Sequence, residues 1–569
     1  MENSFDFRNE SRLIQRSSYQ YIFPPMIGLL FAQCSPLADS IFVSGTLGSE
    51  AFSAIVTVGP FAYVFNVIAA LFGIGAAVVI SRCSGSGEKE KAAQTFTRSL
   101  RMMVIITIIL SACAILFIDP LLHIFSATPE NFNYAKEYAL GMLPGAVFIV
   151  LNFAGDYILA NDNNKNLAMA GDIVGALMNI VFDYIGLYVL HCGIWVAGLG
   201  TAFGSFCCCL VYLLHFRKKD RLCRFVSPKR TPGDHDMLEI IKPGTAVAIM
   251  YILSSAELLI RNYVLSKSAG TSGLSNSEVI ENLYFALSIV IAGISNAIYP
   301  MASAFHGEQN KSGMLMVKRS LLRTGFLMML ILVVILFSFP QLAIMPYQID
   351  DPVVLRTLPY AIRIIAAVDL LIMINMVMIN YLSAVEVEKN ANMAMLIWYM
   401  VQITFTLLLS SRFTMNAPWY AAAIAQIVVL IYLTCFCDHL AKGLWKFHRE
   451  NLILLKCGWI DAPGTEELGS IAGEFLTSEQ FEMVKEKMIR PILAALAGGV
   501  FPRYSFTILE REDGKRAVIL RYVSPKDLLG SESETEESEN ENDDTEIPLD
   551  TCIRSEFLGM RRLMMVMSK

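Results

Sequence analysis

Apolar runs of about 20 residues or more recur along this chain, each closed by a short polar connection. A run of that length crosses the roughly 30 Å hydrocarbon core of a bilayer as a helix, so the pattern predicts membrane-spanning helices. Twelve windows fit: 20–43, 52–83, 100–118, 134–157, 167–190, 194–216, 238–265, 279–301, 321–339, 357–384, 391–409 and 417–437.

The pattern is also written twice. Gly73-Ile74-Gly75-Ala76-Ala77, running on to Gly87-Glu88 and Arg98-Ser99-Leu100, returns about 220 residues later as Gly293-Ile294-Ser295-Asn296-Ala297, Gly307-Glu308 and Arg319-Ser320-Leu321. Two similar halves in hydrophobic sequence are a signature of secondary transporters, whose substrate path lies between the repeats. The expected fold is an all-α polytopic membrane protein of two six-helix repeats with a small α+β cytosolic C-terminal domain. A short N-terminus (1–19) precedes an N-lobe (20–216); a basic linker (217–237) leads to a C-lobe (238–440) and a C-terminal domain (441–569).

Composition agrees, with 55% hydrophobic residues, 17% charged and a mean hydropathy of +0.51, against about 25% charged in soluble proteins. Arg82, Lys89, Lys91, Arg98 and Arg101 fill the second connection, Arg217 to Lys242 the sixth, and Lys311, Lys318 and Arg319 the eighth. The connections 119–133 and 340–355 carry almost none. The positive-inside rule then predicts a multi-pass protein of the cytoplasmic membrane with both termini cytoplasmic. Residues 1–19 lack the pattern of a cleaved signal peptide. The cysteines fall mostly inside apolar windows, including Cys207-Cys208-Cys209, and read as small hydrophobes, not a disulfide framework. Cys435-Phe436-Cys437-Asp438-His439 has no second cluster of ligand spacing, so no metal is expected.

Within the C-terminal domain, 478–497 reads as an amphipathic helix. Residues 504–509 and 517–522 read as strands joined by the turn 511–515, and 556–567 as a short helix. The segment 531–546 is nearly all Ser, Glu, Asn, Asp and Thr and is expected to be a disordered acidic insertion.

An ionisable group inside an apolar helix costs roughly 2.5–3.5 kcal/mol on insertion scales, so each asks for a reason. Asp39 lies near the outer end of the first window, either solvated at the interface or functional, and Pro24-Pro25 earlier in that helix permit a bend. Asn179 and Asp183 stand i,i+4 in a nearly all-apolar segment. They can bond each other in helix packing, or hold a proton or a hard cation such as Na⁺ among their oxygens. Thr201, at the start of the next helix, could add a hydroxyl. In the second half Glu257 and Arg261, also i,i+4, read most simply as a self-neutralising pair, while Asp369 has no partner at helical spacing and is the better cation binder. The 28 methionines are core or lipid-facing filler, or line an adaptable pocket. Gly85-Ser86-Gly87-Glu88 lacks the Lys-Ser or Lys-Thr of a phosphate loop. Nothing supports nucleic-acid binding, and with no intramembrane nucleophile and base an enzyme is not expected.

These residues together resemble the multidrug and toxic compound extrusion (MATE) transporters of the MOP exporter superfamily. The likeness covers roughly 15–440 and rests on Pro24-Pro25, Asp39-Ser40-Ile41-Phe42-Val43 with Leu47-Gly48 and Ala51, the turn 85–88 with Ala92, and Asn179 with Asp183. It implies a twelve-helix, two-lobed antiporter that exports amphipathic or cationic organic compounds against inward H⁺ or Na⁺, with no further cofactor. Asp39, Asn179, Asp183 and Thr201 match the N-lobe cation site of a branch similar to prokaryotic DinF-type members. Glu257 and Asp369 fall in the helices where another branch keeps its C-lobe acids, which implies substrate contacts. Helix six departs from the usual run ending Ala-Thr, reading Gly198-Leu199-Gly200-Thr201-Ala202-Phe203. The tail is faintly similar to serine-kinase or anti-sigma modules but lacks their nucleotide motifs, so ATP binding is not predicted; a cytosolic partner of the tail is an open expectation. The alternatives are a lipid or lipid-linked glycan flippase, and a membrane sensor signalling through the tail.

Overall fold

The computed structural model describes residues 7–85, 89–161, 165–216, 223–226, 236–385, 387–437, 452–459, 475–490, 503–511, 515–522, 552–557 and 560–567. Most of the chain is helical, as a bilayer demands of segments that must satisfy their own backbone hydrogen bonds. The first half holds α1 (Phe7–Ile68), α2 (Gly75–Gly85), α3 (Lys89–Leu116), the short α4 (Ile118–Ile124), α5 (Phe132–Met142), α6 (Ala146–Asn161), α7 (Lys165–Asp183) and α8 (Trp195–Phe216). The second holds α9 (Asp236–Gly307), α10 (Lys311–Ser338), the one-turn α11 (Gln341–Ile344), α12 (Pro352–Ala384), α13 (Glu388–Phe413) and α14 (Ala417–Phe436).

Among the described residues nine helical stretches are long and apolar enough to cross a membrane, but three are too long for one crossing: Leu29–Ile80 with 52 residues, and Val247–Ser295 and Glu388–Phe436 with 49 each. At 1.5 Å per residue each would extend about 75 Å, more than twice the hydrocarbon thickness. All three break near the middle, at Gly48 (φ 82°, ψ −174°), at Ala269 with Gly270 (φ 58°, ψ −136°) and at Thr414 (φ 44°, ψ −113°). Each therefore supplies two crossings, and the twelve windows of the hydropathy pattern are accounted for. Helix α1 starts at Phe7, within the segment expected as a short N-terminus, because Ile14, Ser18 and Ile22 form a buried stripe at i, i+4, i+8.

Two apolar cores follow the two halves. One gathers Val43, Phe61, Phe65, Phe96, Met103, Leu143 and Tyr212; the other gathers Leu287, Ile298, Phe305, Leu321, Ile362, Met373 and Leu433. Helix α1 serves both, since Ile14, Ile22 and Phe52 join the second core. Outward faces carry exposed residues such as Leu116, Phe117, Leu214 and Leu408, a surface suited to acyl chains.

The lobes meet along α1 and α9. Ser18 bonds the Met301 sulfur at 3.5 Å, Ser40 donates to Glu278, and Ser275 donates to the Ser49 carbonyl at 3.2 Å. On a second seam the backbones touch: a Cβ on Gly75 would lie 1.9 Å from the Ile240 carbonyl oxygen, and one on Gly244 2.2 Å from that of Ala70. Nearer the Gly48 end of this seam, Asn262 donates to the Val56 carbonyl at 3.0 Å.

The C-terminal domain is a five-stranded antiparallel sheet with one short helix. The strands are β1 (Leu452–Trp459), β2 (Arg503–Glu510), β3 (Arg516–Tyr522), β4 (Cys552–Phe557) and β5 (Met560–Met567), in the order β1-β2-β3-β5-β4, and α15 (Ser478–Val484) carries a capping box of Thr477 and Gln480. Strands β2 and β3 match the two expected from alternation. The helix expected over 556–567 is corrected to the end of β4 and the whole of β5, with Arg516 opposite Met567 and Tyr522 opposite Arg561. The methionine run gives no helical stripe; Met565 and Met567 face α15 while Met564 faces the other side, the period of two that a strand requires. The acidic insertion 531–546, the turn residues 86–88 and 512–514, linker residues 217–222 and 227–235, 491–497 of the helical candidate, and Asp438 and His439 lie outside the described residues.

Candidate functional site

The N-lobe residues singled out by the sequence converge from three helices. Asp39 comes from α1, Asn179 and Asp183 from one face of α7, and Thr201 from α8. Thr201 Oγ1 donates to Asp39 Oδ2 at 3.0 Å, Asn179 Nδ2 donates to Asp183 Oδ2 at 3.3 Å, and Ser35 Oγ donates to Asn179 Oδ1. The two carboxyl groups lie within hydrogen-bonding reach of each other. Asp39 is 4% exposed and Asp183 fully buried, and on each the second oxygen, Oδ1, has no donor.

Local sequence builds this geometry. Helices α7 and α8 approach closely because Gly200 and Gly204 have no side chains: a Cβ on Gly200 would sit 2.0 Å from Asp183 Oδ1, and one on Gly204 2.8 Å from the Asn179 Cβ. Just after Asp183 the helix widens into a π-helical turn, Tyr184–Val189, a distortion frequent at functional sites. Two buried carboxyls facing each other cannot both stay charged unless a cation lies between them; a shared proton or a small oxygen-seeking cation resolves the conflict.

The C-lobe acids are arranged differently. Glu257 and Arg261 lie 3.9 Å apart, but Arg261 makes its close pair with Glu281, across the Gly270 break within α9. The intrahelical pair read from the sequence is present at this longer distance, but a second carboxylate arrives from the returning helix and makes the closer contact with the guanidinium. Glu257 instead accepts from Gln402 at 2.9 Å, itself held by Trp398, while Tyr63 of α1 donates to Glu281 at 3.0 Å. Asp369, on α12, is 1% exposed and has no donor on either oxygen. Tyr284 lies within electrostatic reach of both Glu257 and Asp369.

Four acids escaped the sequence reading: Glu281, already placed beside Arg261, lies inside the window 279–301, and three others were also missed. Glu278 accepts from Ser40 at 2.7 Å and from Asn282 at 2.9 Å. Asp156 of α6 and Asp172 of α7 share the Tyr212 hydroxyl, at 2.5 and 3.2 Å. The signal was present for these two, which lie inside the windows 134–157 and 167–190. Glu278 was hidden by placing the start of its window one residue later.

Residues 24–185, from Pro24 in α1 through the Asp183 site, match the family profile described as MatE. The whole bundle has the MATE fold. It superposes on an inward-facing multidrug resistance MATE transporter of the MOP superfamily with a TM-score of 0.66, at 22% identity over 72% of this chain and 96% of that one. The MATE multidrug transporter DinF-BH gives 0.61 at 21% identity over 76% and 96%. In sequence the chain is similar to the multidrug export protein MepA of Staphylococcus haemolyticus, 25% identical over 313 residues, 55% of this chain and 68% of that protein. A MepA protein of Staphylococcus aureus is 20% identical over 417 residues, 73% and 92%.

Proposed function

We propose that this protein is a cation-coupled exporter of amphipathic or cationic organic molecules, working by alternating access in the cytoplasmic membrane. The carrying observation is the facing pair Asp39 and Asp183, buried, on separate helices of one lobe, each with an oxygen that no donor reaches. Inward H⁺ or Na⁺ would neutralise the pair, with Asn179 and Thr201 orienting it, and would draw α1 toward α7 and α8. Because α1 also lines the seam with the C-lobe, its movement biases which side opens. Glu257 and Asp369 are the proposed substrate contacts, and the excess of buried acids over the buried Arg261 and Lys318 favours positively charged cargo. The basic second, sixth and eighth connections support a cytoplasmic position for the end bearing the C-terminal domain. Relatives described as multidrug export proteins support this reading.

The test is efflux of a fluorescent organic cation from proteoliposomes under an imposed H⁺ or Na⁺ gradient. Wild-type protein should couple efflux to one of the two gradients, and Asp39→Asn and Asp183→Asn should each abolish the coupling. Coupled efflux retained in full by both variants would refute the assignment.

A further inference from the structure

The C-terminal sheet has two buried faces, and its own helix covers only one. Leu454, Phe506, Ile508, Val518, Leu520, Met565 and Met567 pack with α15 and its continuation Met488 and Ile489. The residues that alternate with them, Leu509, Ala517, Ile519 and Met564, form a second cluster and are no more than 4% exposed. Leu455, next to Leu454, is counted in the core of the C-lobe, and β1 touches α1.

The centre of this second face is charged. Arg521, on the central strand β3, is 1% exposed and closes onto Glu308, which is fully buried and sits immediately after α9; the guanidinium also lies 4.9 Å over the Phe305 ring. A buried ion pair with its stacked ring is geometrically demanding, because both charges have left water and the contacts between them must replace it. Such a pair marks a specific seat, unlike incidental contact between a tail and a bundle.

We infer that the C-terminal domain is a built-in clamp: through Arg521 on Glu308 and β1 on α1, it ties together the two helices that form the lobe seam, and transport runs faster when it lifts off. This rests on the reading of the bundle as a rocking transporter. Helix α1 carries Asp39 and α9 carries Glu278, so a domain fastened to both restrains the relative movement that alternating access needs.

Efflux from proteoliposomes holding the full chain tests the clamp. Arg521→Glu and Glu308→Arg should each raise the initial rate by about fivefold or more, the low end of typical coupling between two sites, and the double exchange should return it to wild type. In a second arm, Arg521→Cys with Glu308→Cys is joined by a bis-maleimide crosslinker carrying an internal disulfide, long enough to replace the two side chains, which should stop efflux until a reductant cleaves it. A crosslinked protein that transports at the rate of its reduced form overturns the clamp alone, as do charge reversals that free the sheet from α9 yet leave the rate unchanged or lowered. No gradient-driven flux in any variant overturns the transport reading and the clamp with it.

Discussion

Ser40 donates its hydroxyl hydrogen to Glu278 at 2.7 Å, and in doing so joins the two lobes one residue away from Asp39. Consecutive residues on a helix point about 100° apart. Asp39 therefore faces α7 and α8 while Ser40 faces the C-lobe, and a rotation of α1 that improves one contact disturbs the other. This gives the first helix the form of a two-sided lever, with the carboxyl site on one side and the seam on the other. Ser40→Ala removes a bond that Glu278 otherwise shares only with Asn282, and the expected cost to a buried acceptor is about 1–3 kcal/mol. In detergent the melting temperature should fall, and gradient dependence of efflux should weaken even though Asp39 and Asp183 are intact. A variant with unchanged coupling would show that the seam bond takes no part in the lever.

Gly200 decides whether Asp183 can occupy its place. An added Cβ would come within 2.0 Å of Asp183 Oδ1, which is buried and cannot retreat into water. Gly200→Ala should therefore displace the carboxyl and lower coupled efflux about tenfold, the effect of about 1.4 kcal/mol on a rate. Combined with Asp183→Asn it should add little, since both changes act on one position. Additive losses, measured in the same liposome assay, would separate the glycine from the acid.

Gly48 holds the turn between the first two crossings at φ 82° and ψ −174°, a region that side chains with a Cβ scarcely visit. Gly48→Ala should destabilise the fold by about 1–3 kcal/mol. Its neighbour Ser49 contributes only its carbonyl to the seam, as acceptor for Ser275, so Ser49→Ala should melt like wild type. Thermal unfolding in detergent distinguishes the two.

How much of this was legible in the sequence depends on which physical rule each residue obeys. A carboxyl in an apolar helix stands out, which is why Asp39, Asp183, Glu257 and Asp369 could be named while Asp156, Asp172 and Glu281, toward the ends of their windows, were passed over, and the i,i+4 spacing placed Asn179 and Asp183 on one face. What the sequence could not supply was the partner across space. Glu281 arrives beside Arg261 only because α9 breaks at Gly270 and returns, and Ser40 meets Glu278 only because α1 lies against that returning half. In the tail, β2 alternates and the turn 511–515 announces β3, whereas β5 is apolar at every position from Leu563 to Met567, because α15 lies on one face and the other is also buried. A run apolar at every position hides its own period, and a helix was the natural misreading.

The acid pair at Tyr212 gives the last prediction. Four oxygens surround one phenol: Asp156 at 2.5 Å, Asp172 at 3.2 Å, Asn152 at 3.3 Å and the Ala168 carbonyl at 3.4 Å. The phenol brings a single hydrogen, so acceptors outnumber it and the carboxyls must share what donors they find. Tyr212→Phe removes that hydrogen and leaves Asp156 and Asp172 without their common partner. The expected loss is about 1–3 kcal/mol, read as a lower melting temperature. Asp156→Asn works in the opposite direction, because the amide brings two hydrogens to the same crowd of oxygens and relieves the repulsion with Asp172. It should therefore melt at or above the wild-type temperature. Destabilisation by Asp156→Asn as large as that by Tyr212→Phe would mean that Asp156 is needed as an acceptor, and that another donor already supplies the hydrogen.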